Sequence, residues 1–132
     1  MIGEVENWLA GSEYDLETAR ALLRSRRYLY AIYFAHLAVE KALKAAIVKH
    51  VGQPPPKSHN LVLLAKEARL EVGEEAASFL GELNAVAGTA RYPEDIEKAL
   101  SAYPGPVAKE YVKRARRMIR WIEQAARLRS EP

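Results

Sequence analysis

An all-α fold, an antiparallel up-and-down bundle of four to five helices, is predicted by three observations. Apolar residues recur at three- and four-residue intervals along most of the chain. No segment alternates with the two-residue period of a strand, and proline or glycine clusters fall between the periodic stretches. With 132 residues, 49% of them hydrophobic, the chain has the length of one domain and material for one core, so residues 1–132 are read as a single helical domain.

The first helix is expected from about Gly3 to Arg26, with Val5, Trp8, Leu9, Leu16, Ala19, Leu22 and Leu23 on one face and Glu6, Glu13, Glu17, Arg20 and Arg24 opposite. The second, Tyr28 to about Val51, is apolar nearly all round in its first half, which marks it as the central, most buried member. Gly52 suits its C-terminus. Three consecutive prolines, Pro54-Pro55-Pro56, remove donors and exclude helix, leaving a stiff connector. Ser58 is the expected N-cap of a short third helix carrying Leu61, Leu64, Ala65 and Ala68 and ending near Gly73. Glu74 and Glu75 open the fourth, whose apolar face is Ala76, Phe79, Leu80, Leu83, Val86 and Ala90. Gly81 and Gly88 inside it suggest close helix packing. Pro93 stops it at Arg91-Tyr92 and opens a small extra helix to about Leu100. The last helix, Val107 to about Leu128, has a stripe of Ala108, Tyr111, Val112, Ala115, Met118, Ile119, Ile122 and Ala126, its Lys and Arg mostly elsewhere.

Composition narrows the function classes. There is no Cys, which excludes disulfides and thiolate metal sites, and three scattered His without Cys partners argue against structural zinc. The opening residues lack the basic start and apolar run of a signal peptide, and charges interrupt every stretch long enough to span a membrane. A cytoplasmic protein without a membrane role is expected. Net charge is +3, but residues 107–132 carry eight Lys or Arg against three Glu, so one end of the molecule is basic. That asymmetry points first to a solvated helix face rich in Arg, and more weakly to an anionic partner such as RNA or an acidic protein surface.

Only one region assembles chemistry. His36, Glu40 and Lys44 recur every four residues and form one stripe on the central helix. His59 opens the third helix, and Arg91, Tyr92 and Asp95 flank the turn after the fourth. If these converge, His59 and the free amides of its helix could receive a phosphate, Arg91 could bind it bidentately, Lys44 could add a point charge, and Tyr92 could stack on a base. Each residue also has a structural role open to it: a Glu40–Lys44 ion pair, a half-buried His36, capping by His59, and pairing of Arg91 with Glu94 or Asp95.

The residues Trp8, Asp15-Leu16, Phe34, Ala38, Glu40-Lys41, Leu43-Lys44-Ala45, Pro56, Ser58-His59-Asn60-Leu61 and Arg91-Tyr92-Pro93, in this order, resemble the HEPN (higher eukaryotes and prokaryotes nucleotide-binding) domain family over most of the chain. The resemblance implies a helical bundle, commonly a homodimer, often paired with a minimal nucleotidyltransferase as toxin and antitoxin. The candidate ligand-binding residues, read from the residues themselves, are Glu40, Lys41, Lys44, His59, Arg91, Tyr92 and Asp95. Toxic members of the family are metal-independent ribonucleases with an Arg followed within four to six positions by a His. Here Arg91 is followed by Tyr-Pro-Glu-Asp-Ile-Glu and no later His, so that motif is missing. The expected activity is therefore binding of an ATP-like nucleotide or a partner, with no cofactor or metal required. A ribonuclease built from Arg91 with His59 or His36 is the alternative, and a purely structural dimer a third.

Overall fold

The computed structural model describes residues 2–129. Among them the order is α1 Glu4–Arg24, α2 Tyr28–Val51, α3 Leu61–Glu67, α4 Glu74–Arg91, α5 Ile96–Ala102 and α6 Gly105–Ala125. Four long helices make the bundle and two seven-residue helices, α3 and α5, bridge its ends. No strand occurs among the described residues.

The bundle is built around α2. Ala31, Ala35, Ala38, Ala42, Ala45 and Ala46 are all fully buried, and these small side chains bring neighbouring helices close on several faces at once. Leu29, Ile32, Val39 and Leu43 fill the space between, so α2 is covered by α1, α6, α4 and α3. The stripe expected on α6 is the one buried there: Ala108, Val112, Ala115, Met118, Ile119 and Ile122. Its cations stay outside.

Helix ends differ from expectation where the capping chemistry is less obvious. α3 is capped by Asn60, whose Oδ1 accepts from Val62 N at 3.1 Å and Leu63 N at 3.3 Å. Ser58 instead turns the loop, its Oγ accepting from Asn60 N. α5 starts after Pro93, at Ile96, because Asp95 Oδ1 accepts from Lys98 N at 3.1 Å. α6 starts at Gly105, two residues early, with Pro106 in its first turn. α1, α3 and α6 stop before Arg26, Arg69 and Arg127, which hold φ of 62°, 60° and 51°. The close packing expected at Gly81 and Gly88 is absent, since a Cβ on either would meet nothing within 4 Å.

Candidate functional site

The α2 stripe comes together with the α2–α3 loop and α4. Glu40 is buried at the centre of it. Its Oε2 accepts from Lys44 Nζ at 3.0 Å and its Oε1 from His59 Nδ1 at 2.8 Å. Two cation-capable groups thus satisfy one buried carboxylate, which is the condition for keeping a charge out of water. The Lys44 ammonium also lies 5.6 Å from the centroid of the Trp8 ring on α1.

His59 does not open α3. It stands two residues before it, with its side chain 57% exposed and Nδ1 turned inward to Glu40. The α3 amides that were expected to receive a phosphate are already occupied: Asn60 takes Val62 N and Leu63 N, and Asn84 Oδ1 takes Leu61 N at 3.0 Å. That route to a phosphate is closed.

His36 is fully buried, deeper than the half-buried position expected. Its Nε2 donates to Asn84 Oδ1 at 3.2 Å, while Nδ1 has no partner. Desolvation by burial pushes its pKa below 6.5, outweighing the Asn84 bond and the nearby Glu40 charge, so the ring is neutral at pH 7. Buried from solvent, it cannot reach a substrate. Asn84 ties three elements together, because its Nδ2 also donates to Asn60 Oδ1 at 2.9 Å. Sequence reading passed over it; a lone Asn inside the apolar-periodic α4 was the available signal.

Arg91 closes α4 against α2 and not against the following turn. Its guanidinium lies 5.4 Å from the Tyr33 ring centroid, Nε donates to Tyr33 Oη at 3.4 Å, and Nη2 is buried without a hydrogen-bond partner. No carboxylate pairs with it among the described residues. The expected pairing with Glu94 or Asp95 is not made, and Asp95 serves as the α5 cap. Tyr92 is 82% exposed and lines a cleft of about 710 Å³ with Asn84, Gly88, Thr89, Asp95 and Tyr103. Asn84 borders both this cleft and the Glu40 cluster. Lys41 stands apart on the α1 side, 2.7 Å from the buried Asp15 carboxylate and packed over Gly11.

No group of three or more His, Asp or Glu that could hold a metal occurs among the described residues. Nor is any helix among them long and apolar enough to cross a membrane.

Comparison with known proteins matches this architecture. The fold is similar to that of TT1696 from Thermus thermophilus, with a TM-score of 0.79 and 21% identity over 94% of this chain and 99% of that one. It is also similar to ST0689, an archaeal HEPN homologue, with a TM-score of 0.66 and 21% identity over 95% and 99%. No curated protein matches the chain. A model of the HEPN domain matches residues 5–125, and the chain belongs to the HEPN domain family.

Proposed function

We propose that this HEPN domain is a binding module that takes the phosphate of an ATP-like nucleotide on Arg91, acting as a homodimer beside a minimal nucleotidyltransferase, as in a toxin–antitoxin pair. The observation that carries the reading is the Arg91 guanidinium, held against Tyr33, with Nη2 unpartnered and no carboxylate paired with it among the described residues. Arg91 as a whole is only half-buried, and a planar fork of donors suits phosphate oxygens. Tyr92, exposed at the edge of the adjoining cleft, offers a face on which a base can stack. Titration calorimetry with ATP, with and without magnesium, tests this. Binding in the sub-millimolar range that Arg91→Ala abolishes is expected; no heat from folded protein removes ATP as the ligand.

One observation favours a second reading, metal-independent cleavage of RNA. His59 Nδ1 is held by the Glu40 carboxylate in a side chain 57% exposed, which leaves Nε2 free to act as a general base. In that case the purified protein cuts RNA in the presence of a chelator, and His59→Ala stops it without changing helix content. Absence of cleavage in the parent protein leaves the binding role.

A further inference from the structure

Exposed large apolar side chains are scattered over the surface except at one corner. Tyr30 at the start of α2 and Ile96 and Leu100 on α5, each 45–53% exposed, line a single cavity of about 330 Å³ with Arg26 and Arg27 on its rim. Ile96 and Leu100 are one helical turn apart, so α5 presents an apolar edge that the bundle leaves uncovered. A second, open cleft of about 720 Å³ shares Arg26 and Tyr28 with this cavity and adds Arg20, Arg24 and Lys109. Among the described residues no carboxylate lines either hollow. None of the five cations forms an ion pair among the described residues. The combination is an apolar floor with a rim of one sign.

Three kinds of occupant make different use of these features. A second copy docked by two-fold symmetry sets the same patch against itself and brings the arginines of both copies together, at an electrostatic cost. A phosphodiester backbone satisfies the cations but leaves the aliphatic side chains Ile96 and Leu100 in water. An acidic segment with apolar anchors uses both, covering the apolar floor while its carboxylates meet the rim. We propose that the corner between the α1–α2 turn and α5 docks an acidic, amphipathic segment of a partner protein. Its apolar side chains seat on Tyr30, Ile96 and Leu100, and its carboxylates pair with Arg20, Arg24, Arg26, Arg27 and Lys109. This surface is built from other residues than Arg91 and stands whether or not that residue binds nucleotide.

Fluorescence anisotropy with a labelled amphipathic peptide of roughly 16 residues, Leu and Phe on one helical face and Glu on the other, tests the proposal on the intact chain. Binding in about the micromolar range is expected, weakened about tenfold or more when the peptide's Glu are replaced by Lys or its Leu and Phe by Ser. Leu100→Glu and the double change Arg26→Glu with Arg27→Glu each weaken it by a similar factor. All three positions are exposed, so circular dichroism should be unchanged, and Arg91→Ala should bind as the parent does. The proposal is overturned if the acidic peptide fails to bind at about 100 μM, or if the Lys peptide binds equally well. It is overturned in favour of nucleic acid if a U-rich RNA oligonucleotide outcompetes the peptide and tolerates Leu100→Glu. It is overturned in favour of a second copy if sedimentation shows a dimer that Leu100→Glu dissociates.

Discussion

Glu40 is the residue on which stability and site geometry meet. It holds Lys44 and His59 at once, and the Lys44 side chain is itself only 9% exposed. Glu40→Ala leaves that ammonium buried without a counter-charge, and a loss of about 3 kcal/mol is expected from the urea midpoint. The double change Glu40→Leu with Lys44→Met removes both charges and should recover most of the loss, which separates electrostatic from packing effects. His36 adds a pH dependence whose sign follows from its burial. Its folded pKa lies below 6.5, the value of an exposed histidine, because charging it in the core is disfavoured. The unfolded chain therefore binds a proton first as pH falls below 6.5, and stability declines on the acid side of that value until the folded state titrates as well. Urea unfolding between pH 7.5 and about 5 should show a shallower decline for His36→Gln than for the parent. Equal slopes would mean that the ring does not resist protonation.

Among the helices, the long ones were legible because their apolar periodicity outweighs any ambiguity at their ends, and the ends were not legible for a specific reason. Arg69 and Arg127 adopt positive φ where a glycine would have announced a stop, so α3 and α6 were expected to run on past them, while α1, expected to end at Arg26, stops at Arg24, short of the positive φ at Arg26. Asn60 was passed over as the α3 cap in favour of Ser58, which satisfies the same rule of residue type, and Pro93 was read as the first helical residue of α5, which Asp95 in fact caps. Two substitutions probe these ends and interiors. Arg69 is exposed in a left-handed conformation that costs a side-chain-bearing residue about 1–2 kcal/mol, part of which glycine returns as chain entropy. Arg69→Gly should therefore stabilise by roughly 0.5–1 kcal/mol. Gly81 sits inside α4 with open space where a Cβ would stand, so Gly81→Ala gains helix propensity of about 1 kcal/mol with no clash. Calorimetric melting should place both variants above the parent. A lower melting temperature for Gly81→Ala would instead reveal a partner surface packed on that exposed glycine.

At the scale of the whole molecule, the limits of sequence reading follow from distance along the chain. The Glu40–Lys44 pair lies within one helical turn and was legible from spacing. His59 reaches Glu40 across 19 residues and Arg91 reaches Tyr33 across 58, contacts that only packing of α3 and α4 onto α2 creates. The site is thus a product of the assembled bundle, and so is its stability. α2 is too apolar to stand in water, and α6 supplies one of its covering faces through Val112, Met118, Ile119 and Ile122. α6 cannot be traded for intrinsic helicity, because isolated helices of this length are marginal and draw their stability from such faces. A chain ended after Pro104 should therefore lose the cooperative melting transition, bind a hydrophobic dye and show reduced helical ellipticity, even though Glu40, Lys44, His59, Tyr33 and Arg91 all remain present. A sharp thermal transition in that shortened chain would show that α1 to α5 form a core of their own. In that case α6 would be an accessory helix, free to move without disturbing the site.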